Sequence, residues 1–62
     1  MALTDEQKKK LKEQRLLIYD SRLFELEMDL TAARAYGDLD AIPGIEAEME
    51  KLRRAREAIE NM

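Results

Sequence analysis

The stretch LLIYDSRLFELEMDL, residues 16–30, holds most of the large apolar side chains in a chain of 62 residues. From its first leucine onward, apolar residues recur at alternating spacings of three and four, which is the a and d pattern of a heptad repeat. This inner row consists of Leu16, Tyr19, Leu23, Leu26, Leu30 and Ala33. The spacing predicts an amphipathic helix that buries the inner row against a second helix.

A second row of apolar residues lies on the same predicted helix, outside the inner row. It consists of Leu17, Phe24, Met28 and Ala35. Asp20, Glu27 and Thr31 fall between the two rows, and charged residues are seldom buried without partners. We therefore expect two different neighbours, namely the second helix of this chain and a helix from another chain. The alternative is one wide face buried within a single larger bundle.

The composition limits how the chain can be stabilised. A chain of 62 residues forms at most one domain, and domains of this size bury a small fraction of their surface. Cysteine and histidine are both absent, which excludes disulfides and Cys/His zinc sites. Small scaffolds without such supports usually gain stability from a partner chain. We therefore predict a protein partner, as a homo-oligomer or a subunit of a larger complex, with no cofactor and no metal.

The residue content favours helix and gives no sign of a membrane segment. Apolar residues make up 45% of the chain and charged residues 40%, a balance that is typical of coiled coils and long helices. No apolar run approaches the roughly 20 residues needed to cross a bilayer. The N-terminus also lacks the apolar region of a signal peptide. We expect an intracellular protein, or one held within an assembled particle.

The first helix begins with a run of capping signals. Thr4 and Gln7 stand at the spacing of a capping box, in which each side chain accepts a hydrogen bond from the other residue's amide. Asp5 and Glu6 then fall in the first turn, where negative charge suits the helix dipole. The helix is therefore predicted to start at Thr4 or Asp5.

Five basic residues follow this start, and they have two interpretations. Lys8, Lys9, Lys10, Lys12 and Arg15 form either a patch for nucleic acid or a solvated helix face. Residues 1–15 also contain three acids, which leaves a net side-chain charge of +2. Phosphate binding normally recruits more basic surface than that. We favour the solvated face, and a small nucleic-acid-binding protein that uses this Lys-rich segment stays the alternative function.

The one clear break in the chain is GDLDAIPG, residues 37–44, which contains both glycines and the only proline. Gly37 is expected just past the first helix, in the left-handed conformation that glycine adopts most readily. Asp40 is predicted to cap the second helix, which places Pro43 in its first turn. That helix carries a single apolar row, made of Ile42, Ile45, Met49, Leu52 and Ile59, with Ala55 and Met62 on one flank.

These patterns predict an all-α fold, a single helical-hairpin domain spanning residues 1–62. A long helix at about 4–36 and a second helix at about 41–60 are joined by a short turn at 37–41 and run antiparallel. The hairpins should assemble into a multi-helix bundle or coiled coil, of which a homodimeric four-helix bundle is the simplest closed form. The predicted intrachain core joins the inner row to Ile45, Met49, Leu52 and Ile59.

The unequal helix lengths predict a projecting segment and a polar contact. Residues 4–15 should extend past the second helix, and a lone helix this polar is marginal in water. It would either fray or meet another chain through Leu11 and Ile18, which lie one heptad apart. Arg56 interrupts the apolar row of the second helix at the expected level of Asp20, and we hypothesise a cross-helix ion pair between them.

The sequence shows no catalytic constellation. Ser21 is the only serine, and the chain offers it neither a histidine nor a Gly-rich turn. We therefore predict a non-enzymatic interaction or structural subunit that acts by helix docking. It would self-associate or pack into a larger assembly, such as a virus particle or another multiprotein complex. The predicted partner interface consists of Leu11, Leu17, Ile18, Phe24, Met28 and Ala35.

Overall fold

The computed structural model describes residues 2–62, which form two helices joined by a tight turn. Helix α1 spans Asp5–Tyr36, helix α2 spans Ile42–Glu60, and a single 3₁₀ turn at Leu39–Ala41 lies between them. Residues 2–62 contain no β-strand. The predicted all-α hairpin is confirmed, and its helix boundaries fall where the capping and turn residues placed them, to within one residue.

The N-terminus of α1 is closed by the predicted capping box. The Thr4 hydroxyl accepts from the Gln7 amide at 3.1 Å, and the Gln7 side chain accepts from the Thr4 amide at 2.9 Å. Asp5 and Glu6 occupy the first turn, where their charge favours the positive end of the helix dipole. The capping residues were therefore sufficient to predict where α1 begins.

The chain reverses direction at Gly37, which has a φ of +74°. The Gly37 amide donates to the Arg34 carbonyl at 3.2 Å, and the Asp38 amide donates to the Ala33 carbonyl at 2.9 Å. This pair of hydrogen bonds is a Schellman motif, and it satisfies two carbonyls that the end of α1 would otherwise leave free. Glycine adopts this left-handed conformation without a steric penalty, because it has no Cβ.

The start of α2 differs from the prediction, because Asp40 is not its cap. Asp40 lies inside the 3₁₀ turn, and Ala41, which precedes α2, already has helical angles of φ −78° and ψ −24°. A capping residue needs extended backbone, which this turn excludes. The amides of Ala41 and Ile42 donate instead to the Asp38 and Leu39 carbonyls. Backbone carbonyls of the turn thus accept hydrogen bonds that a capping side chain would otherwise have accepted.

The core is one narrow layer of side chains between α1 and α2. Leu26 is 2% exposed, and Ala33 and Met49 are also buried. A two-helix hairpin has no third element to close the layer. The other residues of the inner row, and those on the apolar side of α2, are therefore half-buried. These are Leu16, Tyr19, Leu23, Leu30, Ile42, Ile45, Leu52, Ala55 and Ile59.

Two ion pairs cross between the helices on opposite flanks of this core. Arg56 Nε lies 2.6 Å from Asp20 Oδ1, as the sequence predicted, and Arg22 Nη2 lies 3.1 Å from Glu48 Oε1, which it did not. The hydrogen bond to Asp20 raises the pKa of the Arg56 guanidinium, and the hydrogen bond to Glu48 raises the pKa of the Arg22 guanidinium. Exposed ion pairs add little stability. Sliding one helix by a turn would break both pairs, so their main effect is on register.

The projecting segment is shorter than predicted. Lys12 Nζ donates to the Glu60 carbonyl at 2.8 Å and to the Met62 carbonyl at 3.4 Å. The C-terminal end of the chain therefore lies within reach of the Lys12 side chain, because the 3₁₀ turn uses few residues and the chain continues beyond Glu60. The arm is Asp5–Leu11, roughly 10 Å long, rather than residues 4–15. Lys12 also places a positive charge at the carbonyl end of α2, where the helix dipole favours it.

Alanine substitutions at the two glycines should have opposite effects on stability. Gly37→Ala should lower the free energy of unfolding by about 1–2 kcal/mol, because alanine disfavours the left-handed conformation. Gly44→Ala should raise it by about 0.5–1 kcal/mol, because this residue lies within α2. A Cβ built at Gly44 meets nothing within 4 Å among residues 2–62. Urea unfolding followed by circular dichroism measures both, and a stabilising Gly37→Ala would contradict the turn geometry.

The contact between Asp20 and Arg56 should appear as an energetic coupling. In a double-mutant cycle, the losses of stability from Asp20→Ala and Arg56→Ala should not add, because either change alone already removes the contact. Arg54 provides the control, since it lies on the same helix but pairs with Glu50 at 3.0 Å. A cycle of Asp20→Ala with Arg54→Ala should be additive. Additivity in the first cycle as well would show that the ion pair contributes nothing in solution.

Candidate protein-docking surface

Helix α1 exposes large apolar side chains on the side that faces away from α2. Phe24 and Met28 lie two residues before and after the buried Leu26, so at 100° per residue both point roughly 160° away from it. We use the name outer face for this exposed apolar set, whose large side chains are 51–64% exposed. The outer face consists of Leu17, Phe24, Met28 and Ala35. Leu11 and Ile18 are also exposed, but they lie only about 60° and 80° around the helix from Leu26, and Leu11 lines a pocket with Ile59 and Met62.

The structure therefore separates the two predicted sets of residues. Every residue predicted to contact a partner is exposed on α1. Every residue predicted for the intrachain core is buried or half-buried between the helices. Asp20, one of the acids between the two rows, is held by Arg56 of α2. The identity of whatever covers the outer face stays a prediction.

The other helix exposes no comparable apolar surface within residues 2–62. The remaining exposed large apolar side chains are Leu3, Tyr36, Leu39 and Met62, and none of them belongs to α2. The outward side of α2 instead carries charged side chains, among them the pair of Glu50 with Arg54 one turn apart. Of the two helices, α1 alone therefore exposes large apolar side chains within residues 2–62.

A shallow groove of about 370 Å³ follows the second half of the outer face. Its small residues lower the helix surface beside Phe24 and Met28, which leaves room for side chains of a docking helix. The lining residues are Phe24, Glu27, Met28, Thr31, Ala32 and Ala35. Thr31 and Ala32 were not predicted to belong here, although their spacing of three and four residues from Met28 places them on the same side.

The charges of α1 are segregated along its length. Residues 8–15 contain five bases and one acid, a net charge of +4, whereas residues 24–31 contain three acids and no base, a net charge of −3. Some of these charges are paired within the chain. Lys12 bonds the α2 carbonyls, and Glu25 lies 3.2 Å from Arg22. The charge therefore changes sign along α1, and four of its five N-terminal bases line a pocket with Ile59 and Met62 at the end of α2 instead of bordering the outer face.

Other kinds of site are less well supported by the described residues. No group of three or more His, Cys, Asp or Glu side chains within residues 2–62 is arranged to hold a metal ion. Over the same range, neither helix is long and apolar enough to cross a membrane. Comparison with protein-family models, with curated proteins and with solved structures finds no match for this chain. The outer face is the feature from which a function can be argued.

Proposed function

We propose that this protein is a non-enzymatic interaction or structural subunit that docks the outer face of α1 against a helix of another protein chain. The observation that carries the proposal is the outer face itself. Its three large apolar side chains, Leu17, Phe24 and Met28, lie on the side of α1 opposite α2, and each exposes about half or more of its surface. Contiguous exposed apolar surface on a monomer usually marks a binding site.

The thin intrachain core supports the same proposal. Leu26, Ala33 and Met49 are the buried members of that core, and chains this small commonly need support beyond one hydrophobic layer. Each square ångström of apolar surface removed from water contributes roughly 25 cal/mol. Covering the outer face would therefore add stability in proportion to the area buried. The isolated hairpin lacks this contribution to its free energy of folding.

The position of the outer face favours one form of assembly. Because this face lies on the side of α1 opposite α2, a docking helix would contact α1 and leave α2 on the far side. A coiled-coil contact through α1 fits this arrangement. A compact four-helix bundle requires each helix to present two faces that are closer together around its axis. We therefore favour a coiled-coil contact mediated by α1 over the compact bundle.

Two adjacent substitutions on α1 should have different consequences. Phe24→Glu should abolish association while leaving the helix content of the hairpin intact, because this side chain points away from α2. Leu23→Glu should unfold the hairpin, because Leu23 is half-buried against α2 and an unpaired charge there is costly. Sedimentation equilibrium at micromolar concentration measures association, and circular dichroism measures helix content.

Leu39→Glu is the matched control for the change in polarity. Leu39 is 67% exposed and lies in the turn, away from the outer face, so this variant should associate and fold as the unmodified chain does. Equal loss of helix in Phe24→Glu and Leu23→Glu would indicate one wide core instead of two separate faces. An unmodified chain that sediments as a stable monomer would contradict self-association.

A further inference from the structure

We infer that the pocket between the arm and the C-terminal end of α2 binds a small amphipathic anion, a molecule with one alkyl chain and an anionic head group, such as a fatty acid. The pocket has a volume of about 640 Å³, which is within the range of small-molecule sites in proteins. It lies on the side of α1 that faces α2, so it is separate from the outer face and from the docking proposed for that face.

The position of the pocket follows from the unequal lengths of the two helices. Lys8 precedes Leu26 by 18 residues, or about five helical turns, so both side chains leave α1 in the same direction. At Leu26 this side of α1 is covered by α2, and the side chain is buried. At Lys8 the second helix has ended, and a space remains between the arm and Ile59. The pocket therefore continues the line of the hydrophobic core past the end of α2.

Apolar side chains from both ends of the chain line this space. They are Leu3, Leu11, Ile59 and Met62. Three of them remain in contact with water, because Leu3 and Leu11 are about half exposed and Met62 is 89% exposed. An alkyl chain laid against these side chains removes apolar surface from water on both molecules, which favours binding in proportion to the area buried.

Basic side chains surround this apolar surface. Within residues 2–62 the pocket is lined by four bases and one acid, a net charge of +3, namely Lys8, Lys9, Lys12, Arg15 and Asp5. Lys12 donates to carbonyl groups at the end of α2. The other three bases form no ion pair within residues 2–62. Their positive charge therefore favours a ligand with an anionic head group, to which lysine and arginine donate strong hydrogen bonds.

The combination of an apolar lining and a basic rim favours a small amphiphile over larger anions. Nucleic acid that binds as a single strand stacks its bases on aromatic side chains, and no aromatic residue among 2–62 lines the pocket. A bilayer surface contacts side chains that protrude, whereas Ile59 is half-buried at the end of the recess. A peptide would bring backbone amides and carbonyls against apolar side chains that offer them no hydrogen bonds. The pocket follows α1 from Asp5 to Arg15, about 15 Å, which suits an elongated chain.

A titration with three probes tests the class of ligand. Dodecanoate has the alkyl chain and an anionic head group, dodecyltrimethylammonium has the same chain with a positive head group, and acetate has the anionic group without the long chain. Each probe is added to the ¹⁵N-labelled chain below its micelle concentration, and amide chemical shifts report both affinity and position. Dodecanoate should bind about tenfold or more tightly than either other probe. Its shift changes should be confined to residues 3–15 and 59–62.

A matched pair of leucine substitutions locates the alkyl chain. Leu11→Gln should weaken dodecanoate binding about tenfold, because it removes apolar lining from the pocket. Leu17→Gln makes the same change on the outer face and should leave the affinity unaltered. Both leucines are exposed, so both variants should keep the helix content of the unmodified chain in circular dichroism.

A second matched pair tests the basic rim. Lys8→Gln combined with Lys9→Gln removes two charges from the pocket and should weaken dodecanoate binding about tenfold. Lys10→Gln combined with Lys51→Gln lowers the net charge equally, but neither lysine lines the pocket. This control should weaken binding by a factor of about three at most, since exposed charges farther away are screened by salt.

The remaining outcomes each decide against the inference or separate it from the proposed function. Equal affinity for dodecanoate and dodecyltrimethylammonium would show that the basic rim does not select the head group. Loss of binding in Leu17→Gln instead of Leu11→Gln would place the alkyl chain on the outer face. Binding to phosphatidylglycerol vesicles or to a DNA oligonucleotide without binding of dodecanoate would assign the bases to a membrane surface or to nucleic acid. No shift change with any probe overturns the inference, whereas Phe24→Glu should lose association and still bind dodecanoate.

Discussion

The burial of one stripe of α1 by one shorter helix is the constraint on which the rest of this structure depends. Because α2 has a single apolar row, it covers the inner row of α1 and leaves the outer face in solvent. Because α2 is 13 residues shorter, the arm extends past its C-terminal end, where Asp5 and Lys8 line a pocket with Ile59 and Met62. The core is thin because two helices by themselves enclose only one narrow layer.

Polar contacts have a different role from the apolar layer in this hairpin. Two ion pairs lie on opposite flanks of the core, Asp20 with Arg56 and Arg22 with Glu48. Helix α1 contributes the acid to the first pair and the base to the second. Lys12 bonds the end of α2. Such exposed contacts contribute little free energy, but together they oppose sliding of one helix along the other. They therefore determine how much of α1 extends beyond α2.

Several features could be predicted because their causes lie within a few residues or within one helical period. The capping box places the start of α1, and Gly37 places its end, since both signals act through adjacent backbone groups. The heptad spacing divides the apolar residues of α1 into two rows without any knowledge of the partner helix. The ion pair between Asp20 and Arg56 was also predictable, because the position of the turn gives an approximate level for each residue.

The sequence by itself therefore determined the two helices, their boundaries and the division of α1 into two apolar rows. The tertiary structure decided that Asp40 is not a cap, that Ile42 takes helical angles although it precedes Pro43, and that the arm ends at Leu11. It also decided that the outer face lies opposite α2. The spacing of apolar residues in the sequence indicates which side chains share a face of one helix. The rotation and slide of one helix against another depend on many weak contacts across the turn, and no local stretch of sequence contains them.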